Sequence, residues 1–129
     1  MLIVKNGIMD SRAIGKAGED AALKYLQERN LTLRDKNWRC GHYELDLIME
    51  DDFSIRIVEV KTLSKEDGFS PAENMTNAKI SKLIKAARLY YSQNHTEKEL
   101  FFDAVFVIFD NNQPQIEYIP QAFLPIYSK

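Results

Sequence analysis

Several ingredients are scarce in this chain of 129 residues, and each scarcity excludes a class of protein. There is one cysteine, Cys40, so no intrachain disulfide can staple a small secreted scaffold. Five glycines and four prolines leave no room for a collagen-like or low-complexity chain. The longest unbroken apolar run is Ala104 to Phe109, far short of the ~20 residues a membrane helix needs. The apolar start, Leu2 to Val4, stops at Lys5 and is too short for a signal-peptide core. Excess positive charge is missing too. The net charge is -2, which excludes a uniformly basic nucleic-acid binder but not a local basic patch. No Gly-rich phosphate loop, H-E-x-x-H helix or G-x-S-x-G elbow occurs. What is present is ordinary globular composition, 45% hydrophobic and 28% charged. The expectation is a single cytoplasmic domain over 1–129, with a core at about 11–110 and a C-terminal extension over 111–129.

Apolar periodicity divides the chain. Ile14, Ala17, Ala21 and Leu26 recur at helical spacing, which predicts a helix over about 11–29, started by Asp10 or Ser11 and ended by Asn30. The period then falls to two. A weak strand is expected over 31–39 and a clearer one over 43–49, with Leu45, Leu47 and Met49 on one face and Glu44, Asp46 and Ile48 on the other. A β-branched strand follows over 55–62, the short connection making an antiparallel hairpin. Residues 63–75 have loop chemistry. A second helix is predicted over about 77–94, on the stripe Ile80, Leu83, Ile84, Ala87, Tyr90 and Tyr91. Residues 101–109 are apolar on both faces except at Asp103, as in a central strand reached by a crossover with parallel pairing. A short edge strand is expected over 116–119, and 120–125 suggests no element. The order αβββαββ implies an α/β fold, a small mixed sheet with helices on its faces.

Asp46 interrupts Leu45 and Leu47, and Glu59 interrupts Val58 and Val60, with Lys61 two residues on along the same face. Charges inside apolar strands are expensive to bury without a partner or a metal. Two carboxylates suit a hard cation, Mg2+ or Mn2+, better than zinc, and a lysine beside it can orient water or offset developing charge. The pattern is equally met by a solvated cross-strand pair. Glu19, beside Gly18 on a small-residue helix face, reads either as an acid packed close to the strands or as a surface acid. From Thr76 to Thr96 the chain carries Lys79, Lys82, Lys85 and Arg88 and no acid, which is either a phosphate-binding stripe or a wet helix face. His42 stands before the second strand as a candidate ligand or an exposed loop residue, and neither His95 nor Cys40 has a partner at ligand spacing. Trp38, Tyr90 and Tyr91 read as packing residues.

Together the motifs resemble a family. Gly15-Lys16-Ala17-Gly18-Glu19 with Ala22, Tyr25 and Leu26 resembles an opening G-x-x-G-E-x-x-A-x-x-Y-L helix. Asn37-Trp38-Arg39 with Glu44-Leu45-Asp46-Leu47-Ile48 resembles N-x-R … G-E-I-D-L-I. Val58-Glu59-Val60-Lys61 resembles V-E-V-K, residues 68–79 resemble F-G-x-P-x-E-A-V-x-x-x-K, and Phe102-Asp103-Ala104-Val105 resembles R-F-D-V-V. The ordered set, over about residues 11–110, is similar to the YraN-like family of candidate bacterial endonucleases in the PD-(D/E)xK superfamily. The resemblance implies a restriction-endonuclease-like three-layer core and an endonuclease that cleaves DNA phosphodiesters with Mg2+ or Mn2+. By motif position, Asp46 and Glu59 match the metal-binding acids, Lys61 the catalytic lysine, Glu19 the helix acid of Holliday-junction-resolvase-like members, and Glu44 an accessory acid. Lys79, Lys82 and Lys85 are the expected DNA-backbone contacts, branched or damaged DNA the candidate substrate, and a homodimer a candidate assembly. The alternative is a non-catalytic DNA-binding or assembly module that keeps the fold. A glycosidase-like pair of acids is disfavoured, because no sugar-binding aromatic stretch accompanies them.

Overall fold

The structure is a computed structural model that describes residues 11–64 and 76–123. Its elements are α1 (Ser11–Gln27), β1 (Thr32–Cys40), β2 (Tyr43–Glu50), β3 (Ser54–Ser64), α2 (Asn77–Gln93), β4 (Glu99–Asp110) and β5 (Gln113–Phe123). This is the expected αβββαββ order. The five strands form one sheet in sequence order, antiparallel throughout except for the parallel β3–β4 pair that flanks the α2 crossover.

The middle strands are apolar on both faces because each face carries a helix. On one side Ile55, Ile57, Phe102, Ala104 and Phe106 pack with Ile80, Leu83, Ile84, Ala87 and Tyr90 of α2. On the other, Val58, Val60, Val105, Val107 and Phe109 pack with Ala22 and Leu26 of α1. The result is three layers, helix, sheet and helix. The small residues of α1 let it lie close: an added Cβ on Gly18 would sit 1.8 Å from Thr62 Oγ1 of β3. Thr76 caps α2, its Oγ1 accepting from the Lys79 N–H at 3.3 Å, and Asn94 closes the helix. Asn30, at φ 69, ends α1 in the left-handed conformation its short amide tolerates.

Three expectations change. β5 runs eleven residues, not four, and pairs along β4 from Asp110↔Gln113 to Phe102↔Phe123. Pro114 and Pro120 obscure it in the sequence, yet prolines are tolerated on an edge strand and at a bulge, and the β4–β5 register shifts between Phe102 and Ala104 opposite Pro120 and Gln121. Residues 113–123 of the expected extension are therefore part of the sheet. Leu45 departs from the expected face, packing in the α2 cluster while Leu47 and Met49 pack with α1. The break coincides with Asn37 of β1, whose φ of 51 interrupts the facing ladder between Lys36↔Leu47 and Trp38↔Leu45. Of the expected loop over 63–75, Leu63 and Ser64 belong to β3, and 65–75, like Asp10 and 124–129, lie outside the described residues.

Asp103, fully buried in β4, is the one charge in an otherwise apolar strand interior. It is matched by Arg56 Nη1 at 3.2 Å to both carboxylate oxygens, Tyr118 Oη at 2.6 Å and the Gln121 N–H at 2.8 Å. Four donor contacts make its burial tolerable and stitch β3, β4 and β5 together. A second network joins β1 and β2 to the C-terminal turn of α2. Arg34 donates to Tyr90 Oη, Glu50 and Asn94, Tyr90 Oη donates to Asp35 at 2.6 Å, and Lys98 Nζ reaches Glu50 at 2.9 Å. Trp38 meets Tyr90 edge to face at 5.3 Å, and Tyr91 Oη donates to the Lys98 carbonyl, so these aromatics are packing residues as expected.

Candidate active site

The β2–β3 ladder runs from Glu50↔Ile55 to Leu47↔Val58. Beyond it the two strands are joined by a side chain: the Val60 N–H donates to Asp46 Oδ2 at 2.9 Å. A carboxylate thus takes the amide that a strand carbonyl would otherwise satisfy, and Asp46 is fixed against β3. The same junction brings Glu59 against Asp46. Around them opens a cavity of about 340 Å³ lined by Ile14, Gly15, Glu19, Asp46, Glu59, Val60, Lys61 and Thr62. Three elements supply the charges: Glu19 from α1, Asp46 from β2, Glu59 and Lys61 from β3. All four side chains are half-buried.

The electrostatics follow from crowding. Burial first, then the facing Asp46 carboxyl, pushes Glu59 up to about 9, against the pull of Lys61 and Lys79. At neutral pH Glu59 therefore keeps its proton. Burial first, then Asp46, also raises Glu19 above the usual carboxylate range, while the Asn37 side chain and Lys36 draw it back and Glu44 adds to the rise.

Lys79, in the first turn of α2, acts on Glu59 electrostatically and does not line the cavity. Lys79, Lys82, Lys85 and Arg88 are all exposed. Glu44 is exposed at the periphery and pairs with Arg39 at 3.5 Å. His42 sits in the exposed β1–β2 turn beside Gly41 and does not line the cavity. The sequence reading passed over Asn37 as a site residue. Its signal was an asparagine, a residue that tolerates left-handed backbone, inside an otherwise regular strand pattern.

Among the described residues no three His, Cys, Asp or Glu side chains are grouped tightly enough to cage a metal ion. Asp46 and Glu59 nevertheless fit a hard cation by their chemistry. Mg2+ is commonly held by one or two carboxylates while it keeps several of its waters, and a cation would offset the burial and the facing Asp46 carboxyl that together keep Glu59 protonated.

The fold and cavity define an α/β domain with an acid-rich site where a central hairpin parts. Residues 18–107 match the uncharacterised protein family UPF0102, and the chain belongs to that family. A UPF0102 protein of Bacteroides fragilis is 39% identical over 112 residues, covering 87% of this chain and 93% of its own. One from Nitrosomonas europaea is 39% identical over 109 residues, covering 84% and 92%. One from Myxococcus xanthus is 32% identical over 115 residues, covering 88% and 91%. Among solved structures, Pyrococcus furiosus SfsA in complex with Ca2+ is similar at a TM-score of 0.40 and 20% identity, over 88% of this chain and 64% of that one.

Proposed function

We propose that this protein is a divalent-cation-dependent endonuclease that hydrolyses DNA phosphodiester bonds at the cavity bounded by Glu19, Asp46, Glu59 and Lys61. The observation that supports it is the meeting of these four side chains, from three elements, in one open cavity. Asp46 and Glu59 would hold Mg2+ or Mn2+, which when bound polarises a phosphate oxygen and acidifies water. The chain's own residues do the rest. The Val60 N–H fixes the rotamer of Asp46. Lys61, an ammonium on a flexible stem at the cavity wall, orients the attacking water and offsets charge gathering on the phosphate. Glu19 supplies a third carboxylate from the helix side. The exposed Lys79, Lys82 and Lys85 contact backbone phosphates, which fixes register without reading sequence.

A second reading is a DNA-binding or assembly module that does not cut. It is favoured by the lack of a three-residue ligand cluster among the described residues. Incubation with linear, flapped and four-way DNA in Mg2+ or Mn2+, with and without chelator, separates the two. The nuclease reading expects cleavage of at least one substrate, abolished by chelation. It also expects Lys61→Ala to lose about a hundredfold in rate at unchanged DNA affinity. Wild-type protein that binds all these DNAs and leaves them intact with Mn2+ favours the module.

A further inference from the structure

β1 is a nine-residue strand with one backbone inversion inside it. Asn37 has φ 51, and the pairs on either side, Lys36↔Leu47 and Trp38↔Leu45, bracket it without including it. The other left-handed residues among those described have evident local reasons. Asn30 ends α1, His95 follows α2, Gly41, Asn111 and Asn112 form turns, and Gln121 sits at the β4–β5 register shift. A left-handed residue in a strand is strained even for asparagine, so it persists where the surroundings hold it. The position that Asn37 skips on β2 is that of Asp46. Asn37 is exposed on β1, near enough to the Glu19 carboxyl of α1 for its side chain to draw that group's pKa down.

A carboxylate only accepts hydrogen bonds and a carboxamide nitrogen donates two. Glu19 is a long side chain facing the like charge of Asp46, and left alone it would swing toward solvent. We propose that Asn37 is a positioning residue: its inverted backbone turns the carboxamide onto Glu19 and holds that carboxylate beside Asp46 in the cavity. This rests on the nuclease reading for its purpose, though not for the contact itself.

The test pairs an activity-independent measurement with a kinetic one. In side-chain amide NMR of the metal-free protein, the Asn37 NH2 resonances move on Glu19→Ala and stay in place on Glu44→Gln. Asn37→Gly accepts the left-handed φ and removes only the side chain. It melts close to wild type, yet its Mn2+-dependent cleavage falls about 10- to 100-fold, the usual loss for a supporting partner of a metal-site acid. In the Glu19→Ala background the same substitution adds no further loss. A purely backbone role predicts full cleavage by Asn37→Gly, and that result overturns the proposal, as do Asn37 resonances indifferent to Glu19→Ala. Should the wild type cleave nothing, the nuclease reading fails by itself and the NMR comparison alone decides the role of Asn37.

Discussion

Two carboxyl groups as close as Asp46 and Glu59 cannot both ionise cheaply in a half-buried site, and the consequence is measurable as stability. Glu59 is raised from an ordinary 4.5 to about 9 in the folded protein. Between those values the native state keeps a proton that the unfolded chain has released. Stability conferred by the protonated form is therefore greatest at low pH and is lost as pH rises from about 5 to 9, by up to about 1.4 kcal/mol per pH unit. Glu50 and Asp51, whose pKa values are lowered by Lys98 and by local backbone and Ser54 donors, act in the opposite sense only below about pH 5, so they leave this window clear. Urea unfolding of metal-free protein from pH 6 to 8.5 should give a declining stability for the wild type and a distinctly flatter line for Glu59→Gln. Parallel lines would mean that Glu59 is already ionised.

At the scale of elements, the position of α1 depends on Gly18. Its missing Cβ is the space that Thr62 occupies, with Thr62 Oγ1 1.8 Å from where that atom would stand. Gly18→Ala gains helix propensity, worth about 1 kcal/mol in an open helix, but must push α1 off β3. The expected net effect is destabilisation of about 1–3 kcal/mol, the range for overpacking, together with loss of cleavage because Glu19 moves with the helix. Denaturant unfolding checks it, and a Gly18→Ala protein as stable as wild type would show that the helix has room. The second helix carries the other element-scale claim. Lys82 and Lys85 lie on its exposed, acid-free face. Each phosphate contact contributes about -0.9 to the slope of log affinity against log salt. Lys82→Ala/Lys85→Ala should therefore weaken binding equally for unrelated duplexes and flatten the slope by roughly 2. An unchanged slope would mark the stripe as a solvated helix face. Both helices and the three middle strands were legible in the sequence, the helices because burial against one layer sets their apolar period and the strands because burial on both faces makes them apolar runs. β5 was not legible at full length, since Pro114 and Pro120 signal breaks in a central strand but are harmless on an edge. The kink in β1 was invisible for another reason. A period-two pattern reports which side chains are buried, and a single inverted φ at Asn37 leaves that pattern almost intact.

Across the whole molecule, the two polar systems have different duties. The Asp103 network, with Arg56, Tyr118 and Gln121, satisfies a buried carboxylate and ties three strands together. The Arg34–Tyr90–Glu50–Lys98 network does the same between the sheet and the far end of α2. The cavity of Glu19, Asp46, Glu59 and Lys61 instead brings carboxyl groups from three elements to face one another. Asp46, Glu59 and Lys61 were legible as candidates because charges placed inside apolar strands are rare enough to be informative, and Glu19, on a helix, was legible only through the family motif. The sequence did not reveal how Asp46 is anchored, which depends on the strands parting after Leu47↔Val58. The proposed reaction is DNA cleavage in this cavity with a divalent cation held by Asp46 and Glu59. Its most direct test is Mn2+-dependent DNA cleavage by the wild type beside an Asp46→Asn/Glu59→Gln protein confirmed to be folded. The account predicts cleavage by the wild type and a loss of at least about a hundredfold in the variant. Equal cleavage by both proteins would contradict it.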